Sequence, residues 1–377
     1  MPLTAARIRD KARELGFTLC GISPARPSPT LASYLRWIQR GMHGEMAYMA
    51  RPDRVRRRQD LREILPGARS LIIVGLDYQA SFADEDMLSD PARGRIASYA
   101  WGLDYHRVLG LRLESFAEWI LAKCGGVLDH KIYVDTGAVL ERSHAQQAGL
   151  GFIGKNTMLI HPRRGSSFFL GEIISSLELD DYDLPQRETM CGTCTRCLAA
   201  CPTDAFPAPF LLDARRCISY HTIENKGWVD RHLRADFGNW IFGCDICMDV
   251  CPFQRFTVET DEVAFLPLEL ERVAPKLVDM LMIGEGSFRQ LFRRSPVERI
   301  GRERLVRNAC IAAGNWQDER AIPHLIQLLY DASPLVRGHA AWALWQTMEL
   351  DSSKLLTDLY QRDDDEGVRA EIEALLA

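Results

Sequence analysis

No run of eighteen consecutive apolar residues occurs in the sequence, so no segment is long enough to cross a bilayer as a helix. Low-complexity tracts are missing too, which excludes fibrous and wholly disordered roles. The first residues, Met1-Pro-Leu-Thr-Ala-Ala-Arg-Ile-Arg-Asp10, lack the apolar centre and cleavage site of an export signal, and the expectation is a cytoplasmic protein with no membrane contact. Neither sign of charge dominates: 46 Lys and Arg stand against 51 Asp and Glu, a formal net charge of −5. Such a chain is not polybasic as a whole, and a nucleic acid would have to dock on a local patch. What is left is ordinary globular composition over 377 residues, enough for two or three domains with proper cores.

Cysteine is abundant and concentrated. Eight of the eleven lie within residues 191–252, and in an unexported chain that density argues for metal ligation over disulfides. The first run, Cys191-Gly-Thr-Cys194-Thr-Arg-Cys197-Leu-Ala-Ala-Cys201-Pro202, has the C-x2-C-x2-C-x3-C-P spacing of bacterial ferredoxins. In that pattern three close thiolates hold one cluster and the cysteine before proline reaches the other. The second run, Cys244-Asp-Ile-Cys247-Met-Asp-Val-Cys251-Pro252, lacks its leading cysteine, because Ile241 stands there, and Cys217 is the replacement. The resulting expectation is one 4Fe–4S cluster on Cys191, Cys194, Cys197 and Cys251, and a second on Cys201, Cys217, Cys244 and Cys247. Paired C-x2-C spacings also suit two structural zinc sites. The triple run favours clusters, since zinc ribbons bring two ligands from each of two knuckles. Cys20, Cys124 and Cys310 remain, flanked by apolar residues and read as buried structural thiols.

Around this block the pattern changes character. Residues 4–20 read as an amphipathic helix (Ile8, Ala12, Leu15) leading into a strand at Phe17–Ile22, and 28–50 read as helical. Strands are expected at Ser70–Leu76, Lys131–Asp135 and Ser167–Ile174, and a helix over 105–123 with Leu109, Leu113, Phe116 and Ile120 on one face. Mixed strands and helices to about residue 180 imply an α/β-type domain. After residue 260 only helices are expected. There Leu305-Val-Arg307-Asn-Ala309 aligns with Leu335-Val-Arg337-Gly-His-Ala340 and with Gly367-Val-Arg369-Ala370, at spacings of 30 and 32 residues. This is the spacing of short HEAT-like helical repeats; a plain helical bundle with an accidental repeat is the alternative.

Several motifs admit two readings. Gly149-Leu-Gly151-Phe-Ile-Gly154-Lys155-Asn156 satisfies G-x-G-x-x-G, but it follows a helical stretch, not a strand, and Asn156 stands where a phosphate loop needs Ser or Thr. What survives is a glycine-rich backbone plus one lysine, able to approach a large ligand closely. Asp135, at a strand end before Thr-Gly, faces a pocket or caps the helix that follows. Tyr99-Ala-Trp101-Gly-Leu-Asp104-Tyr105-His106 is either a ring-binding surface or a buried aromatic corner. Arg51, Arg54, Arg56, Arg57, Arg58 and Arg62 form one basic run, and Arg293, Arg294, Arg299, Arg302, Arg304 and Arg307 a second. Each is a solvated face or part of a site for one extended polyanion.

Together these stretches resemble the epoxyqueuosine reductase family of tRNA-modifying enzymes. The resemblance rests on Leu65-Pro-Gly-Ala-Arg69, Tyr99–His106, Val134-Asp-Thr-Gly137 with Leu140-Glu-Arg142, Gly151-x-x-Gly154-Lys155, the eight cysteines, and Cys217-Ile-Ser219-Tyr220-x-Thr-Ile-Glu224. It implies an α+β multidomain chain: an α/β cobalamin-binding catalytic domain over 1–180, a bacterial-ferredoxin-like domain with two 4Fe–4S clusters over 181–260, and all-α HEAT-like repeats over 261–377. The implied cobalamin is bound without its lower base, as in the related reductive dehalogenases. Composition and spacing reveal no corrinoid. The absence of a cobalt-ligating histidine motif fits a cofactor held by its ring and side chains, and equally fits none. In the family the acid of V-D-T-G is the proton donor beside the cobalt, a role that falls on Asp135. Other positions around the corrin fall on Arg58, Ser98, Lys155, Ser219 and Asp245.

The implied reaction turns the cyclopentane epoxide of epoxyqueuosine, at the wobble position of a tRNA anticodon, into the cyclopentene of queuosine. The implied partners are a tRNA anticodon stem-loop and an external electron donor, and the implied state is a monomer. A corrinoid-dependent reductase of a small molecule, dehalogenase-like, would not need basic repeats. An iron–sulfur electron-transfer subunit would contain no cobalt.

Overall fold

Four antiparallel strands form the backbone of the first of two units into which the computed structural model divides; it describes residues 3–80, 85–126, 128–185 and 187–377. This unit gathers residues 1–81, 104–214 and 246–266. Helix α1 (Ala5–Glu14) is capped by Thr4, buries Ala5, Ile8 and Ala12, and stops well short of residue 20, so strand β1 (Leu19–Pro24) begins two residues later than expected. The anticipated helix over 28–50 is broken: Leu31–Gln39 and Ala47–Ala50 are helical, and Gly41 and Gly44 turn between them at positive φ. Helix α2 (Pro52–Gln59) then leads to strand β2 (Ser70–Asp77), in which every residue is buried.

The long helix α3 (Tyr105–Lys123) buries Leu109, Leu113, Phe116, Ala117 and Ile120, as its periodicity predicts. Strand β3 (His130–Tyr133), helix α4 (Glu141–Gln147) and strand β4 (Phe168–Ser175) complete the layer. Strand order is β1-β2-β4-β3, with Cys20 opposite Val74, Ile72 opposite Ile173, and Tyr133 opposite Glu172. Leu71, Ile73 and Ile174 pack with Leu61, Leu65, Val139 and Ala145 in one core cluster. Each such side chain stabilises the fold by roughly 1.5–3 kcal/mol when fully buried.

The second unit gathers residues 82–103, 215–245 and 267–377. Helix α5 (Ile218–Ile223) packs on strand β5 (Trp240–Phe242), which pairs in parallel with Arg95–Ile96. Ile241, where a leading cysteine would fall, is a fully buried residue of that strand. The position belongs to a sheet, not to a ligand loop, which is the physical reason the cysteine is missing. Helices α6 (Gly301–Trp316), α7 (Ile322–Leu328), α8 (Pro334–Met348), α9 (Ser353–Arg362) and α10 (Glu366–Leu376) follow, and the recurring Val-Arg pair lies in the first half of α6, α8 and α10. The alternation is that of stacked helical repeats. Gly338 and Gly367 seat the ring of Trp228: a β-carbon would lie 2.3 Å from it at the first and 2.7 Å at the second.

Four of the six arginines of the second run are tied into the unit's own structure. Arg307 is fully buried and donates to the carbonyls of His221 (2.5 Å), Asn225 (2.9 Å) and Gly227 (2.8 Å). Arg302 pairs with Asp331 at 2.6 Å, Arg304 donates to the carbonyls of Ile223, Arg299 and Ile300, and Arg299 pairs with Glu224 at 2.6 Å. Arg293 and Arg294 stay exposed. The expectation of three buried thiols also needs correcting. Cys310 is fully buried, and burial pushes the Cys20 thiol pKa up to about 12 although the residue as a whole is partly exposed, whereas Cys124, the C-cap of α3, is only partly buried. Among the described residues no helix is long and apolar enough to cross a membrane.

Candidate active site and cluster-binding loops

Strand β3 ends at Tyr133, short of the expected Asp135, and Asp135 turns the chain in the left-handed region at φ 59°. That conformation is uncommon for a residue with a β-carbon. The capping alternative fails, because α4 starts only at Glu141 after Leu140. Asp135 Oδ2 instead accepts from the Tyr105 hydroxyl at 2.8 Å and lies 3.7 Å from His106 Nε2, while the Asp135 N–H donates to Glu141 Oε1 at 2.9 Å. The Asp135 side chain is 63 % exposed.

Tyr105 and His106 open α3, and its cap places them. Asp104 Oδ1 accepts from the His106 N–H at 3.0 Å and lies 2.7 Å from His106 Nδ1. The Tyr105 ring stacks on His106 at 4.1 Å and on Phe169 at 4.2 Å. Burial alone would lower the His106 pKa, but hydrogen bonds to Asp104 and Asp135, with their charges, push it up to about 9. The ring is therefore an imidazolium at neutral pH. The aromatic run divides into two halves with different surroundings. Trp101 is a buried corner, its Nε1 donating to the Ile96 carbonyl at 2.7 Å, while Tyr105 and His106 face Asp135.

Two more acids lie near this turn: Glu141, already part of the Leu140-Glu-Arg142 run, and Glu172, which escapes motif reading. Glu172 sits opposite Tyr133 in the middle of β4, fully buried, with no hydrogen-bond partner for either oxygen among the described residues. Burial drives its pKa up to about 8, and burial with the charges of Glu172 and Asp135 raises that of Glu141. The one signal was an acid inside the run Phe168-Phe-Leu-Gly-Glu-Ile-Ile-Ser175.

In the first unit, Cys191, Cys194, Cys197 and Cys251 come together. Burial raises the Cys197 thiol pKa and Cys191, Cys251 and Cys194 add to it; Cys251 is raised by burial and by Cys191 and Cys194. Among the described residues no three His, Cys, Asp or Glu side chains gather as they would around one metal ion. Of the second set, Cys201 and Cys247 lie in the first unit, where the Ala205 N–H donates to Cys201 Sγ at 3.3 Å. Cys217, the N-cap of α5, and Cys244, just past β5, lie in the second.

The remaining expected cofactor contacts also divide between the units. Arg58 is buried on α2, its guanidinium 5.4 Å from the Tyr34 ring. Lys155 belongs to the cluster loops: its N–H donates to Cys191 Sγ at 3.4 Å, and its Nζ to the carbonyls of Gly192 at 2.8 Å and Cys194 at 2.9 Å. In the second unit the Ser98 N–H donates to buried Asp245 Oδ2 at 2.7 Å. Burial pushes the Asp245 carboxyl pKa up, against the pull of Ser98 and Arg95. Ser219 lies on α5, whose Thr222 Oγ1 accepts from Gly243 N at 2.9 Å, two residues before Asp245. Asn156 was read only as a defect in a phosphate loop. It is buried, and its Nδ2 donates to the Cys247 carbonyl at 3.1 Å.

Three family models match the chain: a 4Fe–4S double cluster binding domain over residues 190–254, epoxyqueuosine reductase QueG, DUF1730, over 58–136, and HEAT repeats over 302–377. The first shows an iron–sulfur protein, and the third settles the repeats as HEAT-like. Epoxyqueuosine reductase of Xanthomonas campestris pv. campestris is 42 % identical, covering 91 % of this chain and 96 % of that one. The Escherichia coli enzyme of that name is 37 % identical over 92 % and 90 %. A crystal structure of epoxyqueuosine reductase with an epoxyqueuosine-modified tRNA-Tyr stem loop superposes with a TM-score of 0.90, at 30 % identity, over 98 % of this chain and 97 % of that one. The chain belongs to the epoxyqueuosine reductase family, and it is an oxidoreductase.

Proposed function

We propose that this chain reduces epoxyqueuosine to queuosine at the wobble position of a tRNA anticodon, consuming two electrons and two protons and releasing water. The observation that carries the reading is the Asp104–His106–Asp135 constellation, a protonated imidazole between two carboxylates, in a chain of this family. In this reading residues 1–180 hold a cobalamin, 181–260 two 4Fe–4S clusters, and 261–377 the repeats. The clusters are those of Cys191, Cys194, Cys197 and Cys251, and of Cys201, Cys217, Cys244 and Cys247. Arg58 fits a corrin: it is buried, and its Nε has no hydrogen-bond partner among the described residues, a donor suited to a peripheral amide of the ring. Ser98, Ser219 and Asp245 supply further polar contacts, and Asp135 faces the reacting centre. When bound, cobalamin supplies reducing equivalents to the epoxide carbon and the clusters supply them singly from an external donor.

The chain's own residues handle the protons. Both end on the same oxygen, which leaves the substrate as water. Asp135 takes the first from the His106 imidazolium, which stands 3.7 Å away and is held charged by Asp104, and gives it up as the epoxide opens. His106 draws the second from solvent and passes it on by the same route. The Tyr105 hydroxyl fixes the carboxylate that passes the proton on. The protein acts in the cytoplasm as a monomer.

Asp135→Ala is expected to retain iron, cobalt, the cofactor spectra and stem-loop binding while losing turnover by about 100- to 10,000-fold, the range for general acid catalysis. Single-turnover assays on epoxyqueuosine-containing stem-loop measure this, and normal turnover would remove Asp135 from the mechanism.

A further inference from the structure

The turn Gly154-Lys155-Asn156 joins the short strands Phe152–Ile153 and Leu159–Ile160, and the Lys155 and Asn156 side chains donate to the cysteine loops. A β-carbon on Gly154 would lie 2.5 Å from Ile160 Cδ1 and 2.7 Å from Asn156 Oδ1, so this glycine serves the turn, not a phosphate. The Lys155 N–H points at Cys191 Sγ (3.4 Å), and its ammonium is gripped by the carbonyls of Gly192 (2.8 Å) and Cys194 (2.9 Å). The Lys155 carbonyl accepts from Phe210 N at 2.9 Å, and the side chain is partly buried. Asn156 holds the Cys247 carbonyl at 3.1 Å. One short turn therefore clasps a loop of each cysteine run.

We propose that Lys155 sets the reduction potential of the cluster on Cys191, Cys194, Cys197 and Cys251, by fixing a cation against the loop that carries two of its thiolates. The proposal rests on the ligand assignment given under the proposed function. On reduction a thiolate-bound cubane takes one electron and one further negative charge. A nearby cation favours the more negative state, and an N–H donated to a ligating sulfur acts in the same direction. Both raise the potential. The backbone N–H survives any substitution at residue 155, so a side-chain variant isolates the contribution of the ammonium.

The test compares the anaerobic, cofactor-loaded enzyme with Lys155→Met, Lys155→Gln and Lys155→Arg. Iron, sulfide and cobalt are measured first, then each cluster's midpoint by electron paramagnetic resonance during titration with dithionite as electron donor. The expected result is iron-replete Lys155→Met or Lys155→Gln with one cluster about 59 mV more negative, a tenfold loss in its one-electron reduction equilibrium. The other cluster stays unmoved and Lys155→Arg stays near the parent. Should Lys155→Met shed iron, Lys155→Gln, which keeps a donor for one carbonyl, carries the comparison with Lys155→Arg. Iron-replete neutral variants with unchanged midpoints overturn the proposal, as does loss of cobalt with unmoved midpoints, which would give Lys155 to the corrin. A parent protein without iron would overturn the ligand assignment itself.

Discussion

Two runs of arginine look alike in the sequence and differ in their surroundings. In residues 51–62 the guanidiniums mostly reach solvent: Arg51 and Arg62 pair with Asp53 and Asp60 at the surface, Arg56 and Arg57 are exposed, and Arg58 alone is buried. In residues 293–307 four of the six bind the second unit's own carbonyls and carboxylates. The reason is local. The second run lies at the start of a helical repeat, where carbonyls of neighbouring turns converge and a planar fork of donors satisfies several at once. The first lies on a short helix with one face in water. Charge density along a chain therefore says little about polyanion binding until the carbonyls around it are accounted for.

The largest expected effect falls on the second run. Arg307→Ala removes the donors to two buried carbonyls and one half-buried one and should cost about 3–5 kcal/mol, the range for breaking a buried charged network. Urea unfolding of the second unit's transition measures it. A loss below about 1 kcal/mol would mean that the fork is dispensable and the contrast between the runs is false.

How much of this was legible varies with the range of the interaction. The two cysteine runs were readable because their spacing is local, and Asp104, Tyr105 and His106 were readable as parts of one run of aromatics with an acid and an imidazole, though not Asp104 as the cap of α3. The repeats announced themselves through the Val-Arg pair recurring at 30 and 32 residues. Lys155 and Asn156 were not legible as clasps, because their partners lie 36 and 91 residues further on. Ile241 looked like a vacant ligand position and is a strand residue, since nothing local distinguishes Trp-Ile-Phe as a strand from a loop before Cys244. The helix expected across 28–50 ignored two glycines whose positive φ breaks it. Glu172 was invisible because β4 reads as apolar around it, and only its complete burial without a partner marks it.

A smaller effect is expected at the exposed face of the first run. Arg56→Gln with Arg57→Gln should change stability by no more than about 0.5 kcal/mol. If these side chains meet the phosphates of the stem-loop, the slope of log K against log salt should fall by about 1.5, at about 0.7–0.9 for each phosphate. Binding measured across a salt series decides this. An unchanged slope would leave the first run a solvated face and move tRNA capture elsewhere.

The smallest effect separates charge from architecture inside the first run. Arg62 forms a three-bond fork with Asp60, Nε at 2.9 and 3.0 Å and Nη2 at 2.7 Å, but the two side chains are 67 % and 37 % exposed. Asp60 has a second role, accepting from the Arg62 N–H at 2.9 Å to cap the short turn Leu61–Glu63. Arg62→Ala removes the fork and keeps the cap, so it should leave the unfolding midpoint almost unchanged, and less affected still in high salt. Asp60→Ala removes both and should cost about 1 kcal/mol, the typical loss for a cap. Denaturation of the two variants at low and high salt gives the difference. If Arg62→Ala lowers the midpoint at high salt as much as Asp60→Ala does, this arginine is structural after all, and the first run resembles the second more closely than its exposure implies.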